Sequence, residues 1–216
     1  MSLFHTGTRL FRAGSLRASH LHYSYFSSAA GGGSKSDKVL NTENDASESS
    51  STTLSTRLSH IDATRNEPTM VDVGHKRVTK RTAHAQTLVT LPQNIVDLFD
   101  SPTELQGPKG PVLTTAIIAG VQGAKSTSQL IPFCHPLPLD RVDVRIELKG
   151  RDLVIDCIAA CTHKTGVEME ALTGASVAAL TVYDMCKALS HDIVIRETKL
   201  VSKTGGKKDF QRDQSA

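Results

Sequence analysis

The chain has 216 residues, of which 38% are hydrophobic and 22% charged, and its formal net charge is +3. This length suits one domain with a tail, and the composition excludes a fully disordered, collagenous or coiled-coil protein. No run approaches the roughly 20 apolar residues that cross a bilayer, so we expect no membrane-spanning role. Aromatic residues make up only 4%, with no Trp. Stacking platforms for single-stranded nucleic acid are therefore scarce, and we expect no nucleic-acid partner.

The positive charge is concentrated at the N-terminus. Residues 1–36 carry four basic side chains and no acid, which leaves a net charge of −1 for the rest of the chain. Arg9, Arg12 and Arg17 alternate with Leu and Phe at roughly helical spacing. Residues 1–30 therefore have the composition of an organellar transit peptide, the alternative being an unstructured basic tail. We predict import into the mitochondrial matrix in preference to a plastid.

The remaining chain divides by composition into a linker and one domain. Residues 31–57 are dominated by small and polar residues with few large apolar side chains, which predicts a disordered linker. Residues 58–216 are predicted to form one folded domain. All four cysteines lie in its apolar segments, where they are expected to be reduced core residues and not a disulfide framework.

Hydrophobic periodicity predicts the elements of this domain in chain order. Residues 82–91 alternate with a period of two, as in a strand, and residues 116–130 form a small-residue helix. A hairpin over 141–159, a helix over 167–189 and a strand over 193–201 follow. This order fits two split β-α-β units in one sheet. The predicted fold class is α+β, a ferredoxin-like antiparallel sheet with helices packed on one face.

A proline-rich loop follows the first predicted long helix. Pro132, Pro136 and Pro138 fix the backbone and exclude a helix, so His135 is held on a rigid segment. A histidine there can donate to a phosphate or transfer a proton near neutral pH. A histidine that merely ties the loop to a neighbouring carbonyl fits the same run.

Two carboxylates mark the beginning of the long helix over 167–189. Thr165 and Glu168 match a capping box, which would give Glu168 a structural role. Glu170 is left unexplained by that motif. A pair of carboxylates could bind the N–H edge of a purine or pterin, although acids in a first turn also stabilise the helix dipole.

The end of the same helix carries Asp184 and Lys187 three residues apart, so their side chains are neighbours. Alone they predict a surface ion pair. Converging cations would lower the lysine pKa, make the amine a proton carrier and create a polyphosphate site. Four cations are available for this purpose: Lys109, Lys125, Lys203 and Lys207. No metal site is predicted, because Cys157, Cys161 and His163 lack the spacing of a zinc knuckle.

Five motifs, taken in order, resemble those of the cyclic pyranopterin monophosphate synthases, the MoaC-type enzymes of molybdenum cofactor biosynthesis. The resemblance covers about residues 58–212. The motifs are Met70-Val71-Asp72-Val73, Lys109-Gly110, the run LIPFCHPL over 130–137, the run KTGVEMEALT over 164–173, and Tyr183-Asp184-Met185-Cys186-Lys187.

The resemblance implies a ferredoxin-like lyase assembled as a homohexamer, a trimer of dimers, with active sites at subunit interfaces. Its implied substrate is 3′,8-cyclo-7,8-dihydroguanosine 5′-triphosphate, which is converted to cyclic pyranopterin monophosphate with release of diphosphate. No obligatory cofactor is implied, although Mg²⁺ could accompany the triphosphate. A non-catalytic oligomer that binds a nucleotide or pterin is the alternative function. An RNA-binding module would need exposed aromatic runs that are absent from the sequence.

The resemblance also assigns site residues by position. Asp184 and Lys187 match the catalytic pair, and Lys109 matches a lysine needed for turnover. The implied substrate contacts are Phe133, Cys134, His135, Met169 and Glu170, and further pocket positions are Glu168, Lys203 and Lys207. Phe133 stands where other family members carry a different apolar residue.

Overall fold

The computed structural model describes residues 60–62, 66–99, 101 and 103–213. The predicted transit peptide and linker lie outside these residues. In the described part, no helix is both long and apolar enough to cross a bilayer. The elements are β1 (Ile61–Asp62), β2 (Glu67–Pro68), β3 (Thr79–Thr90), α1 (Gln93–Val96), β4 (Gln106–Gly107), β5 (Gly110–Pro111), α2 (Val112–Lys125), α3 (Thr127–Leu130), β6 (Arg141–Lys149), β7 (Asp152–His163), α4 (Glu168–Cys186), β8 (Val194–Thr204) and β9 (Phe210–Gln211).

One five-stranded antiparallel sheet organises the domain, with strand order β6-β7-β3-β8-β9. Helix α2 connects β3 to β6 across the intervening β7, and α4 connects β7 to β8 across the intervening β3. These are the two split β-α-β units that the sequence predicts, and the α+β fold class is confirmed.

Alternation along the strands decides which face of the sheet is covered. Ala83, Ala85 and Val89 of β3 are at most 1% exposed and belong to the aliphatic core with α2 and α4. His84 and Gln86 lie between them in the sequence and therefore point to the opposite, wetter face. The predicted division into a packed face and a polar face is confirmed.

Glycines bring the two long helices together. A Cβ added at Gly174 of α4 would lie 3.1 Å from the carbonyl oxygen of Gly120 in α2, and one at Gly123 of α2 would lie 2.7 Å from Cβ of Val177 in α4. The helix predicted over 116–130 begins earlier, at Val112, and is interrupted at Ser126, where α3 follows. The glycines of α2 therefore serve close packing against α4, although they weaken the helical signal in the sequence.

Candidate active site

A cleft of about 420 Å³, here called the basic cleft, lies where the loop before α4 meets the end of β8. Its lining contains six cationic side chains and one carboxylate. The cations are Lys76, Arg81, Lys164, Lys203, Lys207 and Lys208, and the carboxylate is that of Glu168. This excess of positive charge attracts an anionic ligand.

The turn after β8 holds one side of the basic cleft. Gly205 has φ +81°, and an added Cβ would overlap the carbonyl oxygen of Lys80, so only glycine fits. Thr79 Oγ1 donates to the Gly205 carbonyl at 2.8 Å, and the Gly205 amide donates to Asp209 Oδ1 at 3.0 Å. The turn is thereby fixed against the start of β3, and Lys207 is presented on it.

The loop before β3 forms another wall. The Gly74 amide donates to Asp72 Oδ1 at 2.7 Å, and the Lys76 amide donates to the Val73 carbonyl at 3.1 Å. Lys164 Nζ donates to the Gly74 carbonyl at 2.8 Å, which ties this loop to the segment before α4. The Met70 to Val73 motif therefore has a structural role, because it begins the turn that positions Lys76.

Sequence reasoning missed four of the six cations, namely Lys76, Arg81, Lys164 and Lys208. The Nε atom of Arg81 is buried and has no hydrogen-bond partner among the described residues. Its Nη2 donates to the Lys164 carbonyl at 3.4 Å. The density of basic residues from Lys76 to Arg81 was the available signal, because this run leads into β3, whose following residues enter the core.

The capping box predicted for α4 is wrong. The N-cap residue is Val167 and no side chain caps the helix, since Thr165 lies two residues too early. Glu168 is the first helical residue, and its carboxylate accepts a hydrogen bond from Lys203 Nζ at 2.8 Å. Gly166 makes room for this conformation, because a Cβ there would overlap the Glu168 carboxylate. Glu168 thus links α4 to β8 inside the basic cleft.

A second cleft of about 260 Å³, here called the loop cleft, adjoins the basic cleft and shares Thr165, Gly166 and Glu168 with it. Predicted site residues form most of its remaining lining: Phe133, Cys134, His135, Met169 and Glu170. The ring of His60, which sequence reasoning did not select, lies over Phe133 with ring centroids 6.3 Å apart. The loop cleft therefore has an aromatic wall beside acidic groups.

Glu170 is the buried acid of the loop cleft, with only 4% of its surface exposed. Burial, with a smaller contribution from the Glu168 carboxylate, raises the pKa of Glu170 to about 7. Burial also raises the pKa of the Cys134 thiol, and the negative charge of Glu170 adds to this effect. The thiol is consequently protonated at neutral pH, which argues against a nucleophilic role, whereas Glu170 can exchange a proton.

The Glu170 pKa predicts how stability depends on pH. The folded protein retains the carboxyl proton up to about pH 7, whereas the unfolded chain loses it near its usual pKa of 4.5. Stability is therefore expected to decrease as pH rises through this window, by up to about 3 kcal/mol. Urea unfolding at fixed protein concentration should show this loss in the wild type. In Glu170→Gln, the loss of unfolding free energy over this pH window should be smaller by about 3 kcal/mol. Identical pH profiles for the two proteins would contradict the raised pKa of Glu170.

A third group, here called the lysine–aspartate cluster, lies at the other end of α4. Asp184 Oδ1 is 2.7 Å from Lys187 Nζ, and Asp184 Oδ2 accepts a hydrogen bond from Lys109 Nζ at 3.1 Å. Hydrogen bonds from Lys187 and then Lys109 hold the Asp184 pKa below its usual value. The same contact with Asp184 raises the Lys187 pKa, so the expectation of a lowered lysine pKa is wrong. Because the Asp184 carboxylate lies 2.7 Å from its amine, Lys187 is an ammonium group at neutral pH.

Lys109 reaches Asp184 from the tip of a tight hairpin. Gly107 of β4 pairs with Gly110 of β5, which leaves Pro108 and Lys109 as the two turn residues. Gly110 has φ +104°, which a residue with a side chain would rarely adopt. The Lys109 amine also donates to the Asp184 backbone carbonyl at 3.1 Å. The glycine-bearing loop therefore delivers a cation to the end of α4.

The structure brings the predicted site residues together in two groups: the adjoining basic and loop clefts at the start of α4, and the lysine–aspartate cluster near its end. Glu168 and Asp184 are 16 residues apart on α4, which separates the basic cleft from the lysine–aspartate cluster by about 24 Å along one subunit. Lys125 belongs to neither group and lines a separate cleft of about 360 Å³ with Leu137 and Arg141. Its assignment to the substrate site stays a prediction.

A wider cleft of about 580 Å³ lies on the polar face of the sheet and contains none of the predicted site residues. His84 and Gln86 line it together with charges of both signs, including Lys199 and Glu197. These two charged groups form an ion pair at 2.7 Å. This cleft lacks the single-sign charge that distinguishes the basic cleft.

These features define a class of protein before any comparison: an α+β domain whose basic cleft suits a small anionic ligand and whose carboxylates and lysines suit proton transfer. Residues 70–206 match the model of the MoaC family, and the chain belongs to that family. A cyclic pyranopterin monophosphate synthase of Xanthomonas campestris pv. campestris (strain B100) is 52% identical over 159 residues, which cover 73% of this chain and 95% of the relative.

Two eukaryotic relatives are longer proteins. Molybdenum cofactor biosynthesis protein 1 of Dictyostelium discoideum is 47% identical over 165 residues, covering 69% of this chain and 26% of that protein. The protein of the same name from Drosophila melanogaster is 48% identical over 160 residues, covering 73% and 28% respectively. The chain therefore matches about a quarter of each eukaryotic relative and nearly all of the bacterial one.

Proposed function

We propose that this protein is a cyclic pyranopterin monophosphate synthase acting in molybdenum cofactor biosynthesis. It converts 3′,8-cyclo-7,8-dihydroguanosine 5′-triphosphate to cyclic pyranopterin monophosphate and diphosphate. Membership of the MoaC family and the name of the Xanthomonas relative, a cyclic pyranopterin monophosphate synthase, support this reaction. The observation that carries the proposal is the Asp184 carboxylate held between two lysine amines. A regulator that only bound nucleotide would not need this arrangement.

The basic cleft is proposed to bind the triphosphate. Lys203 and Lys207 are the sequence-predicted contributors, and the Arg81 guanidinium lines the same cleft. A triphosphate carries several negative charges, and lysine and arginine donors both neutralise them and hydrogen-bond to the oxygens. The glycine turn at 205–206 lets phosphate approach the backbone closely.

The loop cleft is proposed to hold the guanine-derived ring. Glu170 and Glu168 lie where they can accept hydrogen bonds from ring N–H groups, and Phe133 with His60 provides flat walls. With its pKa near 7, Glu170 can also accept or return a proton while the ring opens and closes. His135 and Cys134 contribute further polar contacts.

The lysine–aspartate cluster is proposed to supply the proton transfers and the charge stabilisation. Lys187 is a protonated amine held by Asp184, so it acts first as a general acid. Formation of the cyclic phosphate requires a sugar hydroxyl to attack the α-phosphorus as the bond to diphosphate breaks. Lys109 and Lys187 can then stabilise the charge that builds on the departing group. Accurate placement of the reacting groups, without a covalent intermediate, is sufficient for this step.

Separation of the two groups supports a site shared between subunits. A nucleotide-sized substrate cannot bridge about 24 Å along α4, so the lysine–aspartate cluster of one subunit must meet the clefts of another. Apolar side chains exposed on the helical layer support self-association, including Ile118 at 66% and Leu180 at 60% exposure. We propose a homohexamer built as a trimer of dimers.

Two further features complete the proposal. The reaction has no step that calls for an organic cofactor, and Mg²⁺ is proposed only as a counter-ion of the triphosphate. The acid-free, Arg-rich composition of residues 1–30 supports import into the mitochondrial matrix.

The direct test is turnover by the purified full-length protein. Incubation with the cyclic dihydro-GTP intermediate is expected to release diphosphate and pterin product in equal amounts, measured by liquid chromatography and mass spectrometry. Substrate binding in calorimetry without any diphosphate release would contradict the enzyme and favour the non-catalytic regulator.

A further inference from the structure

The hairpin that carries Lys109 is clamped at its base by one carboxylate. Glu104 Oε1 accepts hydrogen bonds from the amides of Leu105 and Leu113, both at 2.8 Å. Glu104 Oε2 accepts from the Thr114 amide at 3.0 Å and from the Thr114 hydroxyl at 2.6 Å. Leu105 precedes β4, whereas Leu113 and Thr114 follow β5, so the carboxylate joins the two sides of the hairpin.

This carboxylate also replaces a missing helix cap. The N-cap residue of α2 is Pro111, which has no side-chain hydrogen bond to offer. The first amides of a helix need acceptors from elsewhere, and Glu104 supplies them from across the hairpin. Burial tends to raise the Glu104 pKa, but the bonds from Thr114, Leu113 and Leu105 outweigh it, and the pKa lies below its usual value.

Buried apolar side chains also fix the base of the hairpin. Leu105 and Val112 are 2% and 1% exposed, and the Val112 amide donates to the Leu105 carbonyl at 2.9 Å. Only residues 106–111 extend beyond this buried base, and Lys109 is near their tip. A fixed base therefore sets where the Lys109 amine meets Asp184.

We propose that Glu104 is a positioning residue for Lys109: by closing the base of the β4–β5 hairpin onto α2, it holds the Lys109 amine against Asp184. This inference rests on the proposed function for its catalytic consequence. Glu104 itself touches neither substrate nor reacting atoms.

A double-mutant cycle tests the coupling. Glu104→Ala is expected to lower kcat/KM by roughly 10- to 100-fold, because small displacements of a reacting group are costly. In a Lys109→Ala background the same substitution should cause no further loss, since nothing remains to be positioned. Independent losses that multiply in the double variant would overturn the proposal. Glu104→Gln, which keeps one acceptor oxygen, should fold and retain more activity than Glu104→Ala.

A second measurement does not depend on activity. Acetylation with a limiting amount of an amine-specific reagent, followed by mass spectrometry, measures how fast the Lys109 amine reacts. A tightly held amine reacts slowly, and Lys149 of the β6–β7 hairpin is the internal reference. Lys109 should react several-fold faster in Glu104→Ala and Glu104→Gln than in the wild type. Unchanged labelling in both would overturn the proposal. An inactive wild type whose Lys109 labelling still responds to Glu104 would reject the proposed function and retain the positioning role.

Asp97→Ala is the matched control. Asp97 is an exposed carboxylate on the preceding segment, and among the described residues it accepts one side-chain hydrogen bond, from the Gln93 amide at 2.8 Å. Its removal is expected to leave turnover and Lys109 labelling at wild-type values. If Asp97→Ala changed turnover and Lys109 labelling as much as Glu104→Ala does, the changes would follow from the loss of any nearby negative charge, and the positioning role would be overturned.

Discussion

Lys187→Ala is expected to reduce turnover by about 10²- to 10⁴-fold, the range that a positioned general acid contributes. The substitution removes the amine that lies 2.7 Å from Asp184 Oδ1 and leaves Asp184 paired with Lys109 alone. Because the triphosphate is proposed to bind in the basic cleft, the loss should be in kcat, with KM changed much less. Steady-state release of diphosphate measures both parameters.

Two further substitutions at lysines define what the amine does. Lys187→Arg keeps the positive charge but cannot donate its proton at neutral pH, so it should be nearly as inactive as Lys187→Ala. Recovery of activity in Lys187→Arg would contradict the general acid and leave a purely electrostatic role. Lys149→Ala removes a lysine from a comparable exposed pair, 3.2 Å from Glu147, and should retain full activity.

Mixed subunits are expected to regain activity that each parent lacks. Lys187→Ala disables the lysine–aspartate cluster, and Lys203→Ala disables the basic cleft, which lies at the other end of α4. If each site uses one group from each of two subunits, half of randomly formed dimers are mixed and contain one intact site. Activity should therefore return to about a quarter of the wild-type value. Refolding the two variants together and measuring diphosphate release tests this.

The control for complementation combines two variants of the same group. Mixing Lys187→Ala with Asp184→Ala damages the lysine–aspartate cluster of both subunits, so no intact site can form and activity should stay at the level of the parents. Mixed Lys187→Ala and Lys203→Ala oligomers that stayed equally inactive, although native mass spectrometry showed them to be mixed, would contradict a shared site.

The fold was predictable because its signals are local. In β3, Ala83, Ala85 and Val89 alternate with polar residues. This pattern of two predicts the burial correctly, because helices cover only one face of the sheet. The β6–β7 turn at Gly150, whose φ is +64°, was evident from its composition. The first long helix was placed less well, since Gly120 and Gly123 serve packing and resemble breaks in the sequence.

The site was less predictable because it depends on contacts between distant residues. Glu168 has the spacing of a capping residue, and only the approach of Lys203 from β8 gives it another partner. The raised pKa of Lys187 follows from a carboxylate at 2.7 Å, a distance that residue spacing does not provide. No motif in the sequence marks Glu104, because three of its four hydrogen-bond donors come from residues 113 and 114, which reach it only when α2 folds back along the hairpin.

Helix α4 has a consequence for how this protein can change over time. Its 19 residues carry Glu168 at one end and Asp184 near the other, so they fix both the spacing and the relative rotation of the two groups. Adding or deleting one residue within it would turn Asp184 by about 100° relative to Glu168. Changes of length are therefore expected to be tolerated in the connecting loops and not within α4, whose register every subunit of an assembly must share.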